Sequence, residues 1–242
     1  MNLSKPDWHA PSNVHAFMTT RTGGESTGAY DSLNPASHVG DDATNVLQNR
    51  ALIRAHVPNE PLWLNQTHSI NVRTDTQHPA EADAVVLTQA GQVGVVMTAD
   101  CLPVLFASGD GKVIGAAHAG WRGLVDGVLE QTLLTMQQHG AVLSEVHAWL
   151  GAAIGATKFE VGQDVLNEFI AKTAGDVTPF FKPQGDKYLA DIYGLARLRL
   201  TALGVTKISG GTYCTVSEPE RFYSYRRDKI TGRMATLIWM DV

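Results

Sequence analysis

One thiol and two imidazoles stand where chemistry is commonly built. His68 lies in Asn65-Gln66-Thr67-His68, Cys101 in Thr98-Ala99-Asp100-Cys101-Leu102-Pro103, and His118 in Ala117-His118-Ala119-Gly120-Trp121-Arg122-Gly123. Cys101 and His118 each follow a strongly apolar run, and His68 follows Leu62–Leu64. Such positions emerge at the rim of a sheet, where functional loops gather. Separations of 33 and 17 residues exclude a local zinc finger, so any joint site must be assembled by the fold. A thiolate with two imidazoles is the donor set of a catalytic zinc ion with an open fourth position, whereas structural zinc takes four protein ligands. A metal there would hold Cys101 as thiolate and lower the pKa of a bound water toward neutrality. Spacing alone leaves open a core thiol between two strand-capping histidines.

The loop after His118 adds weight. Gly120-Trp121-Arg122-Gly123 runs directly into a helical pattern, so backbone N–H groups and a positive dipole end face the same region. Arg122 adds a fork-shaped cation suited to phosphate. Arg21 follows the first strand in Thr19-Thr20-Arg21-Thr22-Gly23-Gly24, and Asn34 and His38 lie in the same loop. Near the C-terminus, Tyr223-Ser224-Tyr225-Arg226-Arg227-Asp228 mixes aromatic rings with cations, a combination able to sandwich a purine or to form a solvated edge strand. Gly24-Glu25-Ser26-Thr27-Gly28 matches the serine-hydrolase pattern G-x-S-x-G, but turn residues follow it instead of a helix. Neither nucleotide-binding glycine loop is present.

The chain that must position these groups has 242 residues, 44% of them hydrophobic and 18% charged, with a net charge of −5. That apolar content builds a core and excludes a disordered chain. Mild acidity without charge runs argues against a nucleic-acid or anionic-membrane partner. Val93–Phe106 is too short to span a bilayer, which takes about 20 apolar residues. The N-terminus lacks an apolar signal core, so the cytoplasm is expected. The two cysteines, Cys101 and Cys214, form no C-x-x-C, and a reducing compartment disfavours a disulfide between them.

Without repeats or linkers, residues 1–242 read as one domain. Strands are expected near Val14–Thr20, Leu62–Leu64, Ala84–Thr88, Val93–Thr98, Val104–Ala107, Val113–Ala117, Val146–Leu150, Val205–Ser209, Phe222–Tyr225 and Met234–Trp239. Helices are expected from an Asp42 cap to about His56, after Gly123 to a Gly140 cap, over Gln163–Lys172, and over Ile192–Leu203 between Asp191 and Gly204. Strands in runs with fewer helices imply an α/β (α+β) fold, a mixed-sheet sandwich covered by helices.

Thr20-Arg21-x-Gly23-Gly24, Ser32-Leu33-Asn34, Gln66-x-His68, Thr98-Ala99-Asp100-Cys101-Leu102-Pro103-Val104, the His118–Gly123 block and Phe222-Tyr223-Ser224-Tyr225-Arg226-Arg227-Asp228 together resemble the YfiH or "laccase domain" family, bacterial relatives of the human protein FAMIN. The resemblance runs from about Val14 to Trp239. It implies a single-domain sandwich grouped with cytotoxic necrotising factor-type hydrolases and zinc held by His68, Cys101 and His118. The implied activity is phosphorolysis of adenosine, inosine and S-methyl-5′-thioadenosine, with adenosine deamination in addition. Purine nucleosides and phosphate are then the partners, and Arg21, Asn34, Arg122 and Arg226 the candidate substrate and phosphate residues. Zinc deaminases also use a Glu as proton shuttle; no motif here supplies one, and Asp100 is a candidate in its place.

The family's older label is a copper polyphenol oxidase. The nine histidines include no His-x-His pair, which multicopper sites use, although copper(II) outranks zinc in intrinsic affinity for a lone His/Cys/His site. Two further readings remain: a metal-free hydrolase with Cys101 as nucleophile and His118 or His68 as base, and a non-catalytic metal buffer or scaffold.

Overall fold

Strands apolar on both faces need cover on both sides, and that requirement sets the layers of this protein. The computed structural model describes residues 1–75 and 81–241; His78 lies outside the described residues. In chain order the strands are β1 (Leu3–Ser4), β2 (Val14–Thr19), β3 (Pro61–Trp63), β4 (Val72–Arg73), β5 (Ala84–Leu87), β6 (Val93–Thr98), β7 (Leu102–Ala107), β8 (Ile114–Ala119), β9 (His147–Leu150), β10 (Glu160–Val161), β11 (Phe181–Gln184), β12 (Lys187–Ala190), β13 (Lys207–Gly210) and β14 (Met234–Met240). The helices are α1 (Ala43–Arg54), α2 (Trp121–Asp126), α3 (Val128–Gln138), α4 (Gln163–Lys172), α5 (Ile192–Ala202) and α6 (Tyr225–Asp228).

A five-stranded sheet has the order β1-β2-β14-β6-β3 and a six-stranded sheet the order β13-β9-β7-β8-β5-β4. The pairs β3–β6, β4–β5 and β9–β13 are parallel, so both large sheets are mixed. Alternation along each strand sorts its side chains between two cores. On β7, Leu102, Val104 and Phe106 pack against Leu129 and Leu133 of α3 and Leu195 and Leu200 of α5. Its Leu105 and Ala107 point the other way, into a core shared with Val96 of β6 and Ile238 of β14. On β6, Val93, Val95 and Met97 face outward and pack with Ile53 of α1. The result is helix, sheet, sheet, helices: the expected mixed-sheet sandwich covered by helices.

The caps follow local chemistry. Asp42 accepts from the N–H groups of Thr44 and Asn45, and Asp191 from those of Tyr193 and Gly194. Gly140 and Gly204, at φ 97° and 85°, lie just beyond their helices as anticipated. Two expectations change, and one small sheet is added. The helix after His118 starts at Trp121, and Gly127, at φ 105°, divides it into α2 and α3. Phe222–Tyr225 is not a strand: Ser224 accepts from the Arg227 N–H and starts α6 there, overriding the β propensity of the aromatics. The third sheet, β10-β12-β11, escaped the hydropathy pattern because β11 exposes Lys182, Pro183 and Gln184. Ser26 of the G-x-S-x-G match sits in an irregular loop and donates to Asp41 at 2.6 Å, so it is no hydrolase nucleophile. Among the described residues no helix is long and apolar enough to cross a membrane.

The close approach of the two large sheets yields a prediction. A Cβ at Gly94 of β6 would lie 2.9 Å from Val85 Cγ1 of β5. Gly94→Val therefore lowers stability by about 2 kcal/mol through overpacking, read from urea unfolding, with metal content unchanged.

Candidate metal centre and its cavity

Four loops at the strand ends converge on one rim. Beyond β3, the Gln66 amide pairs with both backbone groups of Met97 at 2.8 and 2.7 Å, as an extra rung beside β6. This fixes the entry to His68, whose backbone lies in the left-handed region at φ 62°. Cys101 occupies the turn between β6 and β7 after Asp100, which is also left-handed at φ 84°. His118 is the penultimate residue of β8, 4% exposed.

Asp83, buried just ahead of β5, organises the rest. Its Oδ1 accepts from His118 Nδ1 at 2.8 Å and from the His68 N–H at 3.0 Å. Its Oδ2 accepts from the N–H groups of Thr67 and Ser69 at 3.2 and 2.6 Å and from Ser69 Oγ at 2.8 Å. The His118 N–H also donates to the Asp83 carbonyl at 2.7 Å. One carboxylate thus shapes the His68 loop and commits His118 Nδ1–H, leaving Nε2 for an ion.

Cys101 Sγ lies 3.7 Å from His68 Nε2, and the two imidazole rings are 4.8 Å apart between centroids. The three donor atoms all lie within 4.8 Å of one another, and among the described residues they form the one such His/Cys/acid group. Gly120 closes the back of this triad: a Cβ there would come within 2.7 Å of His68 Cδ2 and 3.0 Å of Cys101 Sγ. The donor set suits zinc, which binds sulfur and nitrogen at about 2.0–2.3 Å, and the bare glycine leaves the donors room to close on one ion.

Charge is redistributed around the triad. For Cys101, burial opposes ionisation most strongly, but the charge of His118 and hydrogen bonds from both imidazoles outweigh it, bringing the thiol down to about 6. Burial also opposes a charged His118, yet the Cys101 thiolate and Asp83 raise it to about 9. Asp83 itself is held near 2: hydrogen bonds from His118 and Ser69 overcome its burial. Without metal the pair is thiolate and imidazolium at neutral pH.

A cavity of about 400 Å³ opens over the triad, within the range of small-molecule sites. Arg122, Arg226 and Arg233 line it together with Phe159, Tyr225 and His38. Arg122 stacks on Trp121 at 4.4 Å. Arg226 lies 5.7 Å over the Phe159 ring and donates to the Glu160 carbonyl at 3.0 Å. Arg233 donates to the carbonyls of Thr231 and Gly232. Among the described residues none of the three has an acidic side chain in ion-pair range. Burial lowers the pKa of His38 first and the nearby Arg233 and Arg50 lower it further, so it faces the cavity neutral.

Of the four substrate residues named from sequence, Arg122 and Arg226 line this cavity; Arg21 and Asn34 do not. Arg21 is turned away to hold the carbonyls of Asp31 and Pro219 and to stack on Tyr223 at 4.9 Å. Asn34 is fully buried; it donates to Ala36 and Asp41 and accepts the Arg233 N–H at 3.0 Å, so it supports a cavity residue without touching the space. Asp100, which also lines the cavity, accepts from Thr215 Oγ1 and the Arg226 N–H at 2.6 Å each, so both of its oxygens are engaged in holding the fold. Asp83 and Arg233 escaped the sequence reading. The signal for each was a lone charge immediately before an apolar strand, in Ala82-Asp83-Ala84 and Gly232-Arg233-Met234.

The family model described as multi-copper polyphenol oxidoreductase laccase matches residues 15–241. A Haemophilus influenzae protein named purine nucleoside phosphorylase is 46% identical over the full length of both chains. An Escherichia coli protein named purine nucleoside phosphorylase YfiH is 48% identical over 98% of each. The crystal structure of a Neisseria meningitidis protein superposes with a TM-score of 0.94 at 46% identity over 100% of both chains. That of YlmD from Geobacillus stearothermophilus gives 0.85 at 28%, over 96% of this chain and 93% of the other. A helix-covered mixed-sheet sandwich with a His-Cys-His group at its rim defines the class. Within it, this chain belongs to the laccase-domain family that includes YfiH.

Two outcomes test the site. At pH near 7.5 Cys101 is ionised and His118 protonated, so zinc binding releases about one proton, His118's own. That release falls away above pH 9, where His118 is already neutral, and affinity weakens as pH falls; calorimetry in buffers of different ionisation enthalpy reads this. Asp83→Asn lowers metal affinity about 10–100-fold in chelator competition. It also lowers stability by about 3 kcal/mol in urea unfolding, since it strips a buried ion pair of one charge.

Proposed function

We propose that this chain is a zinc-dependent purine nucleoside phosphorylase acting on adenosine, inosine and S-methyl-5′-thioadenosine, with adenosine deamination at the same centre. The observation that carries the reading is one cavity that joins a three-donor metal site to three guanidinium groups that, among the described residues, form no ion pair with an acidic side chain. Relatives at 46 and 48% identity that bear the phosphorylase name support it, and the substrate list and the deamination follow the family resemblance.

Phosphorolysis breaks the bond from C1′ to the purine nitrogen and forms one from C1′ to a phosphate oxygen, while the departing base takes up a proton. Arg226, Arg233 and Arg122 offset the phosphate charge in a partly dry space, where such contacts are stronger than in water. Phe159 and Tyr225 offer apolar and aromatic surface to the base. His38 lines the cavity with a lowered pKa and, as neutral imidazole, can take up the proton that dihydrogen phosphate loses and pass it to the departing base. A bound zinc ion supplies Lewis acidity at the cavity floor. Copper remains the alternative ion, and copper polyphenol oxidation the older reading of the family. The single donor group among the described residues seats one ion, where a laccase relay requires several. A free thiol among the donors favours a reducing compartment and supports the cytoplasm as place of action.

The decisive experiment incubates metal-assayed protein with each nucleoside, with and without phosphate. Free base and sugar 1-phosphate form only with phosphate, inosine also appears from adenosine, and Cys101→Ala loses both metal and turnover. Retained phosphorolysis in Cys101→Ala overturns the reading. The thiolate–imidazolium pair favours one competitor, a cysteine hydrolase; chelator-resistant activity, independent of phosphate and abolished by iodoacetamide, establishes that instead.

A further inference from the structure

Asp100 adopts φ 84°, a conformation glycine enters freely and an L-residue enters under strain. Asp is among the few side chains that enter this region, and here its own contacts hold it there. Its carboxylate is buried, and each oxygen has one partner: Thr215 Oγ1 on Oδ1 and the Arg226 N–H on Oδ2, both at 2.6 Å. Its carbonyl accepts from the Ile154 N–H at 3.0 Å. Asp100 therefore ties the turn that carries Cys101 to the start of α6, a four-residue helix too short to hold itself. Arg226, its second residue, has its main chain fixed by Asp100 and its guanidinium steadied by the Glu160 carbonyl and the Phe159 ring.

We infer that Asp100 is a positioning residue: it sets Arg226 against the Cys101 centre, so that the anion-binding guanidinium and the metal ligand are held in one register. The inference rests on the phosphorylase reading above. Because Asp100 acts through Arg226, its loss weakens phosphate capture and leaves the metal in place.

The test is a double-variant cycle of Asp100→Gly and Arg226→Ala, read as KM for phosphate, kcat at saturating phosphate and bound metal. Glycine relieves the strain at φ 84°, so the chain folds while the side chain is removed. Asp100→Gly raises KM for phosphate about ten- to a hundredfold, the scale of a charge-assisted hydrogen bond, with kcat and metal content little changed. Asp100→Asn restores most of the loss, because its amide can accept from Arg226 N–H while donating to Thr215 Oγ1. In the Arg226→Ala background Asp100→Gly adds almost nothing. Effects on KM that multiply in the double variant overturn the inference, as does a loss confined to kcat or metal content. If Asp100→Gly does not fold, Asp100→Asn goes through the same cycle, and an effect on phosphate KM that survives Arg226→Ala is equally fatal. Turnover of the unaltered protein that is independent of phosphate sinks the phosphorylase reading and this inference together; phosphate-dependent turnover with multiplying effects sinks the inference alone.

Discussion

The candidate centre depends on the buried carboxylate of Asp83 and the groups that converge on it. It accepts from His118, from Ser69 Oγ and from three consecutive backbone amides of the His68 loop. A carboxylate so surrounded stays ionised in a dry interior because each oxygen meets donors and one neighbour can carry positive charge. The oriented imidazole and the shape of the His68 loop follow from that arrangement, and the lowered thiol pKa follows from the two imidazoles it holds in place. The cluster is sensitive for the same reason: a buried charge stripped of partners is far costlier than an exposed one.

The sandwich makes the convergence possible. Cys101 directly precedes β7, which pairs antiparallel with β8 so that Pro103 lies opposite His118, and the loop after β3 of the other sheet brings His68 to the same rim. Packing of the two sheets brings these ends together, and rigid strands hold them better than a free loop could. Gly120 keeps the back of the cluster clear, so its importance lies in an absent side chain.

The cavity wall separates two kinds of arginine that look alike in sequence. Arg21 and Arg227 hold backbone carbonyls and bind the fold; Arg226 and Arg233 also grip carbonyls, but they line the cavity and, among the described residues, neither forms an ion pair with an acidic side chain. A cation fixed in a partly buried place without an ion-pair partner favours an anion from solution. Asn34 shows the same lesson in reverse, because its motif position marked it for substrate and burial made it the support of Arg233.

Much of this was legible in one dimension. Two-sided apolar runs marked β6, β7 and β8, Asp42 and Asp191 marked helix starts, and the types of His68, Cys101 and His118 carried their donor chemistry with them, since all of these are local or compositional properties. The short β1, β4 and β10–β12 elements were hidden, because strands of two to four residues with mostly half-exposed or exposed side chains carry too little apolar alternation to mark them. The Phe222–Tyr225 segment misled because a serine cap overrode its aromatic character. Which carboxylate would orient His118, which arginines would turn inward and whether Asp100 would be free were decided only when remote segments packed. Those are questions of through-space distance and desolvation, and spacing along the chain carries neither quantity.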